Sequence, residues 1–188
     1  MFKEYKLPKE GFIGGWFISS KICKNLISYY NEFNSNAQPG VTKAKKVNKK
    51  IKHSCDLNIG FRNTDKEVFE YRHTLQKILD LYIKRYPELS WYERFNFTEA
   101  NIQKYPKKGG FKKWHFERAL KTDSTRVLVF MTYLNNVEQG GTQFKYQKII
   151  TPAKEGLTLI WPTDFTHTHK GQIATEEKII ITGWFSLL

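Results

Sequence analysis

From Phe95 onward the chain is written in short runs of β-type residues, and this limits its possible folds more than any other feature. The runs are "FNFTEANIQKY", "TRVLVFMTYLN", "TQFKYQKIIT", "LTLIW" and "EKIIITGWFSLL", divided by "PKKGG", "NVEQGG" and "PAKEG". β-Branched and aromatic side chains suit a pleated surface, and Gly and Pro clusters suit the turns between strands. Several short strands at this spacing predict a sandwich or barrel. The text before them has a different period. "ISSKICKNLISYYNEF" puts Ile18, Ile22, Leu26, Ile27 and Tyr30 on one helical stripe behind a serine cap. "TDKEVFEYRHTLQKILDLYIKRYP" puts Val68, Tyr71, Leu75, Ile78, Leu79 and Tyr82 on another. Thr64 and Glu67 stand there at capping-box spacing, and Pro87 is the stop. The expected architecture is two helices followed by an all-β half. It forms one domain over 1–188, with helical support and a basic loop in 1–90 and the β core in 91–188.

A chain of 188 residues with 40% apolar and 15% aromatic content can bury a core without staples. Cys23 and Cys55 have no paired or metal-ligand spacing, so neither a disulfide framework nor a zinc ribbon is expected. A reducing compartment is the simpler reading. "MFKEYKLPKEGF" is too charged for a signal peptide, and no apolar run reaches membrane-spanning length. A cytoplasmic protein with no membrane contact is expected. The net charge of +13 favours an anionic partner without choosing among nucleic acid, acidic peptide and small acid, and it equally suits an AT-rich genome. Six lysines in "KAKKVNKKIK" mark Thr42–His53 as an exposed, mobile loop.

Chemistry concentrates in two places. "KWHFE" contains His115-Phe116-Glu117, and in a β conformation His115 and Glu117 would share one face. "WPTDFTHTHKG" contains His167 and His169, whose spacing would also place them on one face, as a metal pair or as a ligand and a bystander. Two ligands on one strand plus a distant histidine make a two-His, one-carboxylate triad. That set leaves coordination positions open and suits non-haem Fe(II). By itself H-x-E is a weak signal.

The stretch from Tyr105 to Phe185 resembles the prolyl-hydroxylase branch of the Fe(II)/2-oxoglutarate dioxygenases, most closely the bacteriophage-encoded members. The matching blocks are "YPKKGGFKKWHFE", "RVLVFMTYLNNVEQGGTQF", "PAKEGLTLIWPTDFTHTHKG" and "EKIIITGWF", in that order. The resemblance implies a mainly β fold with a double-stranded β-helix (jelly-roll) core. In that family a basic residue nine or ten positions after the distal histidine binds the far carboxylate of 2-oxoglutarate. Lys178 fits this role, and its strand would place Lys178, Ile180, Thr182 and Trp184 on one face. His169 lies nine residues before Lys178 and His167 eleven, so the resemblance makes His115, Glu117 and His169 the iron ligands. His167 is left to a supporting role.

Tyr105 and Tyr133 match positions whose hydroxyls contact the cosubstrate, and Trp184, with Thr182, is expected to wall the pocket. Gly140 and Gly141 read as part of a tight connection. Glu117 stands where aspartate is commoner, which changes reach rather than chemistry, and its presence argues against the halogenating relatives. The implied cofactors are Fe(II), 2-oxoglutarate as cosubstrate and O2, with ascorbate an optional reductant. The implied activity is hydroxylation of a C–H bond, foremost of a peptidyl proline in a peptide or protein substrate. Nucleic-acid oxidation is the competing reading, weakened because no arginine-rich signature follows His169; free amino acids and other small molecules are further alternatives. A binding module without catalysis has no need of three metal ligands. The oligomeric state is left open.

Overall fold

A computed structural model of the protein describes residues 2–42 and 46–187. Strand β13 (Lys178–Leu187) lies inside an antiparallel sheet, between β6 (Phe95–Tyr105) and β8 (Arg126–Tyr133). Beyond β8 come β11 (Leu157–Pro162), β2 (Gly14–Phe17) and β1 (Lys3–Glu4); beyond β6 come β5 (Cys55–Gly60) and β3 (Gln38–Pro39). Three strands form a smaller antiparallel sheet in the order β10 (Ile149–Ala153), β9 (Val137–Phe144), β12 (His169–Gly171). A two-stranded ribbon joins β4 (Lys52–His53) to β7 (Gly110–Phe111).

The large sheet is buried on both faces, which is why β8 reads as a continuous apolar run rather than as an alternation. On its outer face Leu128, Phe130, Ile179, Ile181 and Phe185 pack under two helices, α1 (Ser20–Glu32) and α2 (Lys66–Arg85). On its inner face Tyr105, Val129, Met131, Tyr133 and Ile180 meet Phe144 and Ala153 of the small sheet. The α2 stripe is buried as expected, from Val68 to Tyr82. Fold class is therefore mainly β with supporting helices around a jelly-roll.

Four local expectations are revised. Asp65, not Thr64, precedes α2, and no side-chain cap bond forms there. The Asp65 carboxylate instead accepts bonds from Tyr29 (2.7 Å) and Asn63 (3.0 Å), tying the start of α2 to α1. "TQFKYQKIIT" is a hairpin rather than one strand: it turns between Phe144 and Ile149, with Lys148 at positive φ. "NVEQGG" is strand, and its glycines answer to close packing, since a Cβ on Gly141 would run into the Thr151 carbonyl of β10. Finally, the β half is not self-contained, because β2 and β5 from the N-terminal part complete its large sheet.

The basic segment is also more ordered than expected. Lys43, Ala44 and Lys45 lie outside the described residues. Around them Val41 bridges Val47, and the Thr42 N–H donates to the Lys46 carbonyl (3.1 Å). Lys52, buried, ends the segment on β4, where β7 and the Lys112 N–H (2.8 Å to the Ile51 carbonyl) clasp it.

Candidate metal centre

His115 lies just past β7, outside any continuous strand. Among the described residues its one ladder contact is an isolated bridge to His169, in which His115 N–H donates to the His169 carbonyl (3.0 Å) and His169 N–H to the His115 carbonyl (2.8 Å). The Glu117 and Arg118 N–H groups both donate to the Thr163 carbonyl (3.1 Å each). The two side chains do converge, but through these backbone bonds, not through the regular strand expected of His-x-Glu. His115 Nε2 is 3.3 Å and His169 Nε2 3.5 Å from Glu117 Oε1. One donor atom from each of the three residues lies within 4.8 Å of the others.

The imidazoles are oriented from behind. His115 Nδ1 is 2.9 Å from the Lys113 carbonyl and His169 Nδ1 2.8 Å from the His167 carbonyl. A carbonyl only accepts, so each Nδ1 carries a hydrogen, and each Nε2 is turned toward Glu117. Burial, and then the nearby His169, lower the pKa of His115, which keeps it neutral. Burial alone would raise the Glu117 carboxyl, yet the two imidazoles outweigh it and hold the group well below its usual range. Two imidazole nitrogens and one carboxylate oxygen thus converge on one point, and that donor set fits a non-haem iron.

These residues line one end of a cavity of about 490 Å³ between the two sheets. Lys178, Ile180, Thr182 and Trp184 all line it, as their alternation requires. Lys178 is 4% exposed; burial pushes its pKa down to about 8, and its Nζ donates to the Gly140 carbonyl (2.8 Å). Tyr105 pairs with Lys178 across the strands and presents its ring 5.1 Å from Nζ. Its hydroxyl donates to Gln103 Oε1 (2.6 Å). The Tyr133 hydroxyl is shared with Thr142 (2.7 Å) and Thr151 (3.3 Å), and burial raises its pKa to about 12. Thr182 donates to the Phe130 carbonyl (2.9 Å), while Trp184 stacks against the Arg126 guanidinium (3.7 Å).

His167 departs from expectation. It ends a 3-10 turn (Phe165–His167), so it does not share the face of His169. Its Nε2 bonds the Gly11 carbonyl (3.0 Å), and it supports His169 with its backbone oxygen alone. Sequence reasoning missed a polar wall. Lys52 Nζ donates to Asp56 Oδ2 (2.5 Å), and Gln103 Nε2 donates to the same oxygen (3.3 Å). Asn101, Gln103 and Tyr105 alternate along β6, and that polar period of two was the available signal.

The fold and site define a class: a double-stranded β-helix with a buried two-His, one-carboxylate cluster at one end of its cavity. Residues 100–186 match the family model of the 2OG-Fe(II) oxygenase superfamily. Among solved structures, a prolyl-4-hydroxylase from Pseudomonas putida aligns with TM-score 0.72 at 18% identity, covering 94% of this chain and 93% of its own. The viral collagen prolyl hydroxylase of Paramecium Bursaria Chlorella virus-1, solved as a 2OG complex, gives 0.70 at 15% identity, covering 94% and 97%. A prolyl hydroxylase from Trichoplax adhaerens, in complex with a hypoxia inducible factor oxygen degradation domain peptide fragment, gives 0.73 at 17%, covering 94% and 84%. No curated protein matches the sequence. The chain thus shares the fold of these prolyl hydroxylases. Among the described residues no helix is long and apolar enough to cross a membrane.

Proposed function

We propose that the protein is an Fe(II)- and 2-oxoglutarate-dependent oxygenase that hydroxylates a C–H bond, with peptidyl proline the favoured target. The observation that carries this reading is the convergence of His115, Glu117 and His169 in one cavity with the buried Lys178. His115, Glu117 and His169 would hold the iron, and Lys178 the far carboxylate of 2-oxoglutarate. Bound iron, with 2-oxoglutarate and O2, supplies the oxidising power for C–H hydroxylation. The Lys113 and His167 carbonyls fix the imidazole tautomers, so both Nε2 atoms stay available. Phe111, stacked on His115 at 3.7 Å, and Trp161, edge-on to His169 at 5.1 Å, keep water from the rings. Lys178 provides a cation in an apolar setting, where a carboxylate partner is worth more than in water.

The Tyr105 hydroxyl, now given to Gln103, can turn to the same carboxylate, and Tyr133 can release a threonine to do so. The wall of Thr182 and Trp184 borders the substrate's path. The chain acts as one domain over 1–188, because strands from both halves complete the large sheet. A peptide substrate and a bacteriophage origin belong to the same reading, supported by the peptide-bound and viral neighbours, and a cytoplasmic setting is proposed with them. Anaerobic Fe(II) and 2-oxoglutarate titration, followed by succinate release with and without proline peptides, tests it. Tight metal binding with peptide-stimulated succinate is expected, and absence of iron binding refutes it.

A further inference from the structure

Two rims bound the cavity's opening, and they are built alike. On one side Val41 and Thr42 of the basic hairpin line the cavity, with Val41 48% exposed. On the other Leu120 and Thr122 line it, with Leu120 47% exposed. Each apolar lip has lysine beside it. Lys46 takes the Thr42 N–H on its carbonyl, and Lys49 and Lys50 follow in the turn before β4; Lys121 sits between Leu120 and Thr122. All four lysines are exposed, and among the described residues none has a carboxylate within 4 Å.

The other charges at the opening are already satisfied. Arg126, which lines the cavity, is held between Asp123 (3.1 Å) and Glu99 (2.9 Å), and Arg118, next to Glu117 in the chain, donates to both oxygens of Asp164 (2.7 and 2.8 Å). Lys52, the hairpin's buried lysine, is paired with Asp56 and fastens the hairpin to the cavity wall. The rim therefore keeps a positive field carried by lysine alone.

We infer that the substrate is an acidic polypeptide segment, lying across the apolar lips with Asp or Glu residues over the hairpin lysines. This rests on the peptide-oxygenase reading above and names its substrate class. Charge complementarity selects the partner, and the kind of cation selects peptide over nucleic acid. Arg126, which lines the cavity, and Arg118, next to Glu117 in the chain, have given their guanidinium groups to carboxylates, and the ring of Trp114, next to His115 in the chain, is covered by Lys170 at 4.7 Å. A single strand of nucleic acid is held by free guanidinium groups and bare aromatic faces, and among the described residues the rim offers neither. Point-charge lysines beside aliphatic lips suit carboxylates on an extended chain.

The test uses labelled proline peptides of one sequence with Asp/Glu, Ser/Gly or Lys flanks. Binding is read by fluorescence anisotropy and turnover by succinate release. Wild type is compared with the combined Lys46→Gln, Lys49→Gln, Lys50→Gln variant and with Lys121→Gln, each checked for folding by circular dichroism. Exposed ion pairs contribute about twofold each, so the combined variant should bind the acidic peptide about tenfold more weakly at low salt. That difference should shrink once screening falls to about 8 Å at physiological ionic strength. Neutral-peptide binding and peptide-free succinate release should not change. Equal affinity of wild type for acidic and neutral peptides overturns the inference, as does an acidic preference that survives in the variant. So does a single-stranded oligonucleotide that binds wild type more tightly than the acidic peptide and loses as much in the variant. If no proline peptide is hydroxylated, the proline reading alone fails; anisotropy still decides the docking, because it needs no turnover.

Discussion

Replacing Lys178 by methionine should separate two effects that the wild-type side chain combines. Burial lowers its pKa from 10.5 to about 8. At about 1.4 kcal/mol per unit, keeping the ammonium charged inside the cavity costs roughly 3 kcal/mol of stability at neutral pH. The unfolded chain holds the proton up to about pH 10.5 and the folded one only to about 8. The unfolded state therefore binds more protons between those values, and stability should rise with pH across that window. Methionine fills a similar volume without charge and removes that penalty. Against it stands the Gly140 carbonyl, which loses the Lys178 donor at 2.8 Å; an orphaned buried acceptor costs about 1–3 kcal/mol. Lys178→Met should thus melt within a few degrees of wild type, or above it, at pH 7. Its wild-type-minus-variant stability difference should climb from pH 8 to 10.5. Affinity for 2-oxoglutarate should fall about tenfold to hundredfold, the worth of a charge-assisted bond. Melting curves across pH and anaerobic calorimetry with Fe(II) and 2-oxoglutarate measure both. A flat stability difference across that window, or 2-oxoglutarate affinity within about threefold of wild type, would refute the reasoning.

Three further outcomes follow from the geometry. His115→Ala, Glu117→Ala and His169→Ala should each abolish tight Fe(II) binding, whereas His167→Ala should keep it, since the carbonyl that holds His169 is backbone; anaerobic ferrous titration of all four decides this. The His115 ring of the metal-free protein should take up its second proton only below the ordinary imidazole range, because burial lowers its pKa; an NMR titration of its ring signals from pH 4 to 8 reads the profile. Gly141→Ala should destabilise the fold by about 1–3 kcal/mol, because the added methyl meets the backbone carbonyl of Thr151, which cannot swing away; urea unfolding at matched pH measures it.

Elements with a strong period were legible in the sequence. The α2 stripe and β6, at Phe95–Tyr105, stand where the pattern put them, because one face of each is buried against a continuous layer. Lys178 and Trp184 share the cavity face for the same reason. What escaped depends on contacts between distant segments. "NVEQGG" looks like a turn until β10 approaches Gly141, and Asp65 displaces Thr64 at the helix start through Tyr29 of another helix. His167 seemed to match His169 by spacing alone, yet a 3-10 turn rotates it toward Gly11. The Lys52–Asp56 pair had no local signature, since a lysine in a basic run gives no sign that it is the buried one.

The reciprocal backbone bonds between His115 and His169 separate the frame of the centre from its chemistry. Main-chain N–H and carbonyl groups are the same for nearly every amino acid, so the two positions stay bolted together whatever side chains they carry. Glu117 is fastened likewise, by its own N–H to Thr163. The three positions can therefore be rewritten one at a time, with cysteine, aspartate or a non-ligating residue, on an unchanged scaffold. Such a series would yield cavities of one shape that differ only in the metal they prefer.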